Sequence, residues 1–401
     1  MRSLQARTFR LDLLRAFPHG VVETLVTTFA VLIAVRHFEF GIVAKAVLVG
    51  SVAAGLLASL FTVPLVRRLG WTAPRACAIF WLAASISLGL VFALPSHPGV
   101  FLACVMLAGF LPPLSAPLIA RIYRENYGDT FRGRLFSLMA MAKMATAMVA
   151  ALLIGRWLDR GGIGQFDQVF LLYSLCAAAA ALCLWKMEGR PLEGRRVRLL
   201  AAFRHVRHDA AFRKLLIAWM FIGLGNLTAV AVFVDYAANP AHKHDLSATA
   251  VGILTGTLPT ACALLSLPAW GWMFDRAHFY RVRVLINLMF LLGIAVYFSG
   301  GAWQWMAAGM AFHGLARAGG QVSWSLWVTK FSDGEDTAEY MSVHTFLTGL
   351  RGVLAPFLGF FLLDQFGPVF VAMFGSALIL IGTAVILPEA IDRTRHGGRA
   401  A

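Results

Sequence analysis

The 401 residues are 59% hydrophobic and only 14% charged, with a mean hydropathy of +0.73, against roughly 25% charged residues in ordinary globular chains. This excludes a soluble domain: apolar runs recur along the whole length, as in a polytopic membrane protein. A net charge of +15 would suit a nucleic-acid partner, but the distribution of that charge argues for a lipid bilayer instead.

Twelve apolar spans can be marked, at about 17–37, 43–66, 75–95, 99–120, 135–155, 168–186, 214–235, 248–270, 283–300, 303–328, 341–363 and 368–388, each long enough to cross a hydrocarbon core of roughly 30 Å. Of the 35 Lys and Arg, 27 fall in the N-terminal lead-in, the C-terminal tail and the loops after even-numbered spans. Five fall in the loops after odd-numbered spans, and Lys143, Arg317 and Arg351 lie inside spans. By the positive-inside rule both termini are expected in the cytoplasm, with the chain in the plasma (inner) membrane. The first apolar run has no small-residue cleavage site after it, so it reads as a first span rather than a signal peptide. The five cysteines sit inside apolar runs without metal-ligand spacing, and no metal or cofactor is expected.

In chain order, residues 1–16 form a basic lead-in carrying Arg2, Arg7, Arg10 and Arg15. Span 1 places His19, Glu23 and Thr27 on one helical stripe. Lys45 lies near the outer end of span 2, where snorkelling would make it cheap. Pro112, Pro113 and Pro117 should bend or partly unwind span 4. Span 5 carries Lys143 and runs into Gly155-Arg-Trp-Leu-Asp159-Arg160-Gly-Gly162. A basic linker, 187–213, follows span 6, and the apolar spacing in its second half reads as an interfacial amphipathic helix. Spans 7 and 8 add neutral hydrogen-bonding groups: Asn226, Thr228, Thr255, Thr257 and Thr260.

Span 10 contains His313-Gly-Leu-Ala-Arg317-Ala-Gly-Gly-Gln321-Val-Ser-Trp324. Spacings of four, four and three put an imidazole, a guanidinium, an amide and an indole on one stripe. Trp324 and Trp327 also suit a role as interface anchors. The second half echoes the first, with Gly271-Trp-Met-Phe-Asp275-Arg276 lying 208 residues after Val63-Pro-Leu-Val-Arg67-Arg68, and Gly359 lying 204 after Gly155. Six spans, a basic loop and six more spans suggest two repeats.

On these features the chain resembles the major facilitator superfamily of secondary transporters over essentially its whole length. The family's loop motif, Gly-x-x-x-Asp-Arg-x-Gly, is kept after span 8 at Gly271, Asp275 and Arg276, with His278 replacing the second glycine. After span 2 it keeps Arg68 and Gly70 but has Val63 and Arg67 in place of glycine and aspartate. The pattern is complete after span 5, at Gly155, Asp159, Arg160 and Gly162. It is read there as the family's glycine-rich span 5 end, with the motif match a coincidence. The resemblance implies an all-α fold of twelve transmembrane helices in two pseudo-symmetric six-helix bundles. These would be residues 1–186 and 214–401, joined by the linker 187–213, around a central cavity. It also implies a monomer that binds a small-molecule substrate.

Glu23, Lys143, His313, Arg317 and Arg351 fall within a slab of about 10 Å at mid-membrane, counting 1.5 Å per residue. A structural Glu23–Lys143 salt bridge, a helix-contact histidine and a carbonyl-capping arginine are the plain readings. If Glu23 neutralises Lys143, however, Arg317 and Arg351 remain, and a guanidinium presents a planar fork to a carboxylate or phosphate. The expected function is secondary active transport of a small organic anion by alternating access, with Glu23 or His313 carrying a coupling proton. Glu23, Lys143, His313, Arg317, Gln321, Arg351, Asn226 and His19 are the candidate binding or coupling residues. Arg68, Gly70, Gly271, Asp275 and Arg276 form the gating motifs. The alternatives are a carrier of a neutral polar or amphiphilic compound, and a transporter-like receptor or assembly protein. No enzyme-like nucleophile–base or metal cluster lies at a water-accessible depth, and no ATP-binding motif is present.

Overall fold

The computed structural model describes residues 2–192, 203–242, 244–327 and 337–391. Among these the chain is helical, and the extended pairing is confined to an isolated bridge between Thr72 and Pro191. The membrane helices in chain order are α1 (Leu4–Arg36), α2 (Ile42–Arg68), α3 (Ala73–Ala93), α4 (Pro98–Asn126), α5 (Gly133–Gly161) and α6 (Ile163–Trp185). They continue with α7 (Ala210–Ala238), α8 (Ala248–Arg276), α9 (Phe279–Phe298) and α10 (Trp303–Leu326). The last helix, Thr337–Ile391, is broken at Gly367, where φ is 80° and ψ 177°. That left-handed φ suits glycine and turns one long run into α11 (337–366) and α12 (368–391).

Ten helices are long and apolar enough to span a bilayer, with Glu339–Ile391 counted once. α10 falls short of that measure because the polar residues of its stripe lower its hydropathy. Splitting the last helix and adding α10 brings the described residues to the twelve helices expected. α1 begins well before the predicted span, so the basic lead-in is largely helical. Asp12 and Arg15 are buried there as an i, i+3 ion pair at 2.6 Å. Pairing removes most of the cost of extending the helix through charged sequence.

Two compact units divide the chain. The first comprises Met1–Arg196 with Phe233–Thr260, and the second Val197–Val232 with Ala261–Ala401. The boundary therefore passes through α7 and α8 rather than only through the linker.

In the first unit α3 lies along α6, stitched by reciprocal bonds: Ser85 Oγ donates to Ser174 O at 2.8 Å and Ser174 Oγ to Ser85 O at 2.9 Å. α4 unwinds into a 3₁₀ turn at Pro112–Ser115, as its prolines predict. α1 and α8 each contain a π-helical turn, Leu25–Phe29 and Ile253–Thr257. The two turns meet, with the Thr28 and Thr255 hydroxyls 2.9 Å apart. A π-turn inserts an extra residue and often marks a functional position. On α5, a Cβ at Gly155 would lie 2.8 Å from both Ala248 O and Thr249 Cα, so glycine is needed for the start of α8 to pack there.

In the second unit an aromatic and aliphatic core gathers Phe212, Trp219, Phe274, Trp327 and Tyr340. Trp327 is fully buried in it, stacked on Phe212 with ring centroids 5.7 Å apart. It is therefore a core residue and not the interface anchor expected, whereas Trp324 is partly exposed. Residues 193–202 of the basic linker lie outside the described residues, as does the first part of the predicted amphipathic helix. What is described, Phe203 and the short helix Arg204–His208, turns Phe203 and Val206 onto this core. His205 Nε2 lies 2.7 Å from Glu339 at the start of α11. This part of the apolar face is covered by protein, which overrides the purely interfacial reading.

Substituting Gly155 by Ala should lower the melting temperature of the detergent-solubilised protein, with an overpacking cost of about 1–3 kcal/mol. Gly41→Ala is the control, since nothing lies within 4 Å of a Cβ there.

Candidate functional site

The first unit assembles its polar residues on one face of α1. Asp12, Arg15, His19 and Glu23 follow at spacings of three, four and four, which stack on a helix. Arg15 pairs with Asp12, donates to His19 Nδ1 at 3.3 Å and donates to the Tyr123 hydroxyl at 3.4 Å. The His19 ring stands edge-on to Trp81 of α3 at 4.8 Å. One turn further, Glu23 meets Lys143 of α5 at 3.0 Å, with the two side chains 20% and 30% exposed. The structure thus joins Glu23 to Lys143, as expected. His19 is linked through Arg15 to a buried network that the lead-in reading had left out.

The end of this unit away from the N-terminus holds a second set of charges. Lys45 pairs with Asp235 at 2.9 Å, and both are largely buried. A paired, buried ammonium replaces the snorkelling one expected. Arg36 pairs with Asp245 at 2.9 Å and donates to Ala238 O at the same distance. Asp159 accepts from the backbone N–H groups of Ala248 and Thr249, at 2.7 and 2.9 Å. These are the first residues of α8, so the carboxylate caps a helix N-terminus and faces its dipole. The aspartate of the Gly155 to Gly162 stretch thus forms a charge–dipole latch onto the start of α8. A cavity of about 560 Å³ opens at this end, lined by Arg36, Glu39, Phe40, Lys45, Asn239 and Asp245 among others. Arg36 lies 13 residues along α1 from Glu23, about 20 Å at helical rise, so this cavity is remote from the Glu23–Lys143 pair.

In the second unit, His313, Arg317 and Gln321 follow one stripe of α10, and exposure rises along it from buried His313 to exposed Gln321. His313 packs on Phe290 of α9, with ring centroids 5.3 Å apart. Arg351 lies elsewhere, turned from α11 toward α7. Its Nη1 donates to Trp219 O at 2.6 Å and its Nη2 to Thr348 Oγ1 at 3.0 Å. Two residues not singled out from the sequence join it. Arg283 of α9 lies with its guanidinium carbon 5.6 Å from the Trp219 ring centroid, and His344 of α11 packs on the same ring at 4.3 Å. All three are buried. Arg283 escaped notice because it falls at the predicted start of span 9, where it counted as a loop charge. His344 sits at helical spacing from Thr348 and Arg351, a stripe the sequence reading did not draw.

Asn226 of α7 has its Oδ1 buried without a hydrogen-bond partner among the described residues. Thr255 and Thr257 are occupied, the latter donating to Met148 O at 2.9 Å. Of the gating motifs, Gly70 adopts a φ of 65° at the α2–α3 turn, a left-handed conformation that glycine takes without strain. Arg68 and Asp275 are exposed. Arg276 lies over the Trp272 ring at 4.9 Å.

Residues 226–399 match the family model described as the Major Facilitator Superfamily. Among solved structures, the chain is similar to a variant of the nucleoside transporter NupG, with a TM-score of 0.78 at 13% identity, covering 95% of this chain and 99% of that one. A POT family transporter in complex with 5-aminolevulinic acid aligns with a TM-score of 0.74 at 11% identity, covering 97% and 96%. The D-xylose–proton symporter aligns at 0.65 and 15%, covering 95% and 96%. At these identities the likeness establishes the fold. No curated protein sequence matches the chain.

Replacing Glu23 by Gln or Lys143 by Gln should each destabilise the protein by about 1 kcal/mol, with the double variant costing less than the sum. Thermal unfolding of the four proteins measures this coupling. Asp159→Asn should cost about 1 kcal/mol by weakening the α8 cap, and an unchanged melting temperature would remove the latch from the account.

Proposed function

We propose that this chain, a Major Facilitator Superfamily protein by its second-half sequence and by its fold, is a secondary transporter whose solute is a small organic anion. The observation that carries the anion reading is a contrast between the units. In the first, the buried charges within the membrane helices come as opposite pairs: Asp12 with Arg15, Glu23 with Lys143, and Asp235 with Lys45. In the second, Arg283 and Arg351 are buried without a carboxylate partner among the described residues. A guanidinium in an apolar interior costs several kcal/mol unless compensated, and a mobile anion supplies the missing charge. Arg317 and Gln321 on α10 offer further donors to such a solute, and the Asn226 Oδ1 on α7 an acceptor for a hydroxyl it carries.

Coupling is assigned to a proton carried by Glu23 or His313. Protonating Glu23 would release Lys143, and so change the charge of the α1–α5 contact by one unit. The positive-inside bias supports cytoplasmic termini in an inner membrane, with the protein acting as a monomer. A neutral polar solute is the second reading, supported by the fold shared with a nucleoside transporter and a xylose symporter.

Counterflow in proteoliposomes tests the first reading. Labelled carboxylate or phosphate-bearing solutes should exchange, and Arg317→Gln and Arg351→Gln should each reduce the exchange at least tenfold. Exchange of a labelled nucleoside or sugar, with anions inert, would overturn the anion reading in favour of the second.

A further inference from the structure

We propose that the second unit contains a built seat for a dianionic oxyanion, such as a phosphate monoester or a dicarboxylate, formed by Arg283, Arg351, His344 and Trp219. The inference goes beyond the transport reading, because it claims binding at equilibrium whether or not the bound group crosses the membrane.

Three observations converge. The first is charge: two guanidiniums from α9 and α11 lie within electrostatic reach of each other and of His344. No carboxylate among the described residues pairs with either arginine, so the local balance calls for two negative charges. The second is hydrogen bonding. Arg283 Nε, Arg351 Nε, Trp219 Nε1 and both nitrogens of His344 are buried without a hydrogen-bond partner among the described residues. The arginine and indole nitrogens are donors only, and a neutral imidazole adds one more. A buried group of unmet donors is costly, and the complement of such a set is an acceptor-rich anion. The nearby acceptor Asn287 Oδ1, one turn along α9 from Arg283, is also unpartnered, so it does not absorb that donor.

The third observation is close packing that fixes the Arg351 guanidinium. Gly223 of α7 lies against the Arg351 guanidinium, and a Cβ there would lie 2.6 Å from its Cδ and Cζ. A side chain at this position would push the guanidinium away from its place over α7. Trp219 does double service, accepting from Arg351 through its carbonyl and lying beside Arg283 and His344 with its ring. The Arg351 fork is thereby held by Trp219 O and Thr348 Oγ1, with its unpartnered Nε against Gly223 of α7.

Thermal unfolding of the purified full-length protein tests the seat, because a ligand bound to the folded form stabilises it. Inorganic phosphate and succinate are titrated in neutral detergent at constant ionic strength. A parallel arm uses nanodiscs of phosphatidylcholine with or without phosphatidic acid. Saturable stabilisation should appear in the wild type, with the apparent Kd raised at least tenfold in both Arg283→Gln and His344→Phe. Arg283→Lys should retain part of the affinity, and Gly223→Ala should weaken it through Arg351. Arg156→Gln, exposed on α5 in the first unit, should leave it unchanged. Stabilisation by the soluble dianions identifies a solute site, whereas stabilisation by phosphatidic acid alone identifies a lipid headgroup in the same seat. If neither stabilises the wild type, or if stabilisation persists undiminished in Arg283→Gln and His344→Phe, the proposal is overturned.

Discussion

A charge held away from water must find an opposite charge or a ring of dipoles, and this constraint organises the polar residues of both units. In the first unit it is met from within. Arg15 has Asp12 three residues before it, Lys143 has Glu23, and Lys45 has Asp235. Asp159 meets the N–H groups at the start of α8 instead of a side chain. In the second unit Arg351 takes a carbonyl and a hydroxyl, and Arg283 takes an indole face. These are dipolar and quadrupolar partners that leave the net charge standing. This asymmetry exists only at the level of contacts.

Backbone irregularity sets other close contacts in the first unit. Paired π-turns in α1 and α8 bring Thr28 and Thr255 together, and the proline-broken α4 substitutes a 3₁₀ turn for part of its helix. Gly155 lets the start of α8 approach α5 closely enough for Asp159, one turn on, to reach the α8 N–H groups. A bulkier residue at that position would separate the carboxylate from the dipole it caps. Packing and electrostatics are thus coupled, since the latch requires the glycine that precedes it.

Much of the site was legible wherever the sequence placed an unusual residue deep in an apolar run. Glu23, Lys143, Arg317 and Arg351 stand out as charges inside apolar spans, and the His313–Arg317–Gln321 stripe follows from helical period alone. Residues near span ends did not stand out. Arg15, Arg283, Asp235 and Lys45 lie where hydropathy cannot separate a loop charge from a buried one, because the helices extend past their apolar cores. His344 lies near the start of span 11 on one helical stripe with Thr348 and Arg351, but only its packing on Trp219 connects it with Arg283. Trp327 shows the converse error: a tryptophan at a span end suits a membrane interface, yet here it fills a core.

The sequence by itself determined the class of protein: twelve helices, a membrane environment and a family resemblance. Those depend on composition and period, which are local and survive without knowledge of any contact. Tertiary structure alone decided which charges cancel. The pairing of Glu23 with Lys143 joins residues 120 positions apart, and the gathering of Arg283, His344 and Arg351 around Trp219 requires α7, α9 and α11 to pack together. The energy of a buried charge is set by its nearest few ångströms, and helix packing is what fills them.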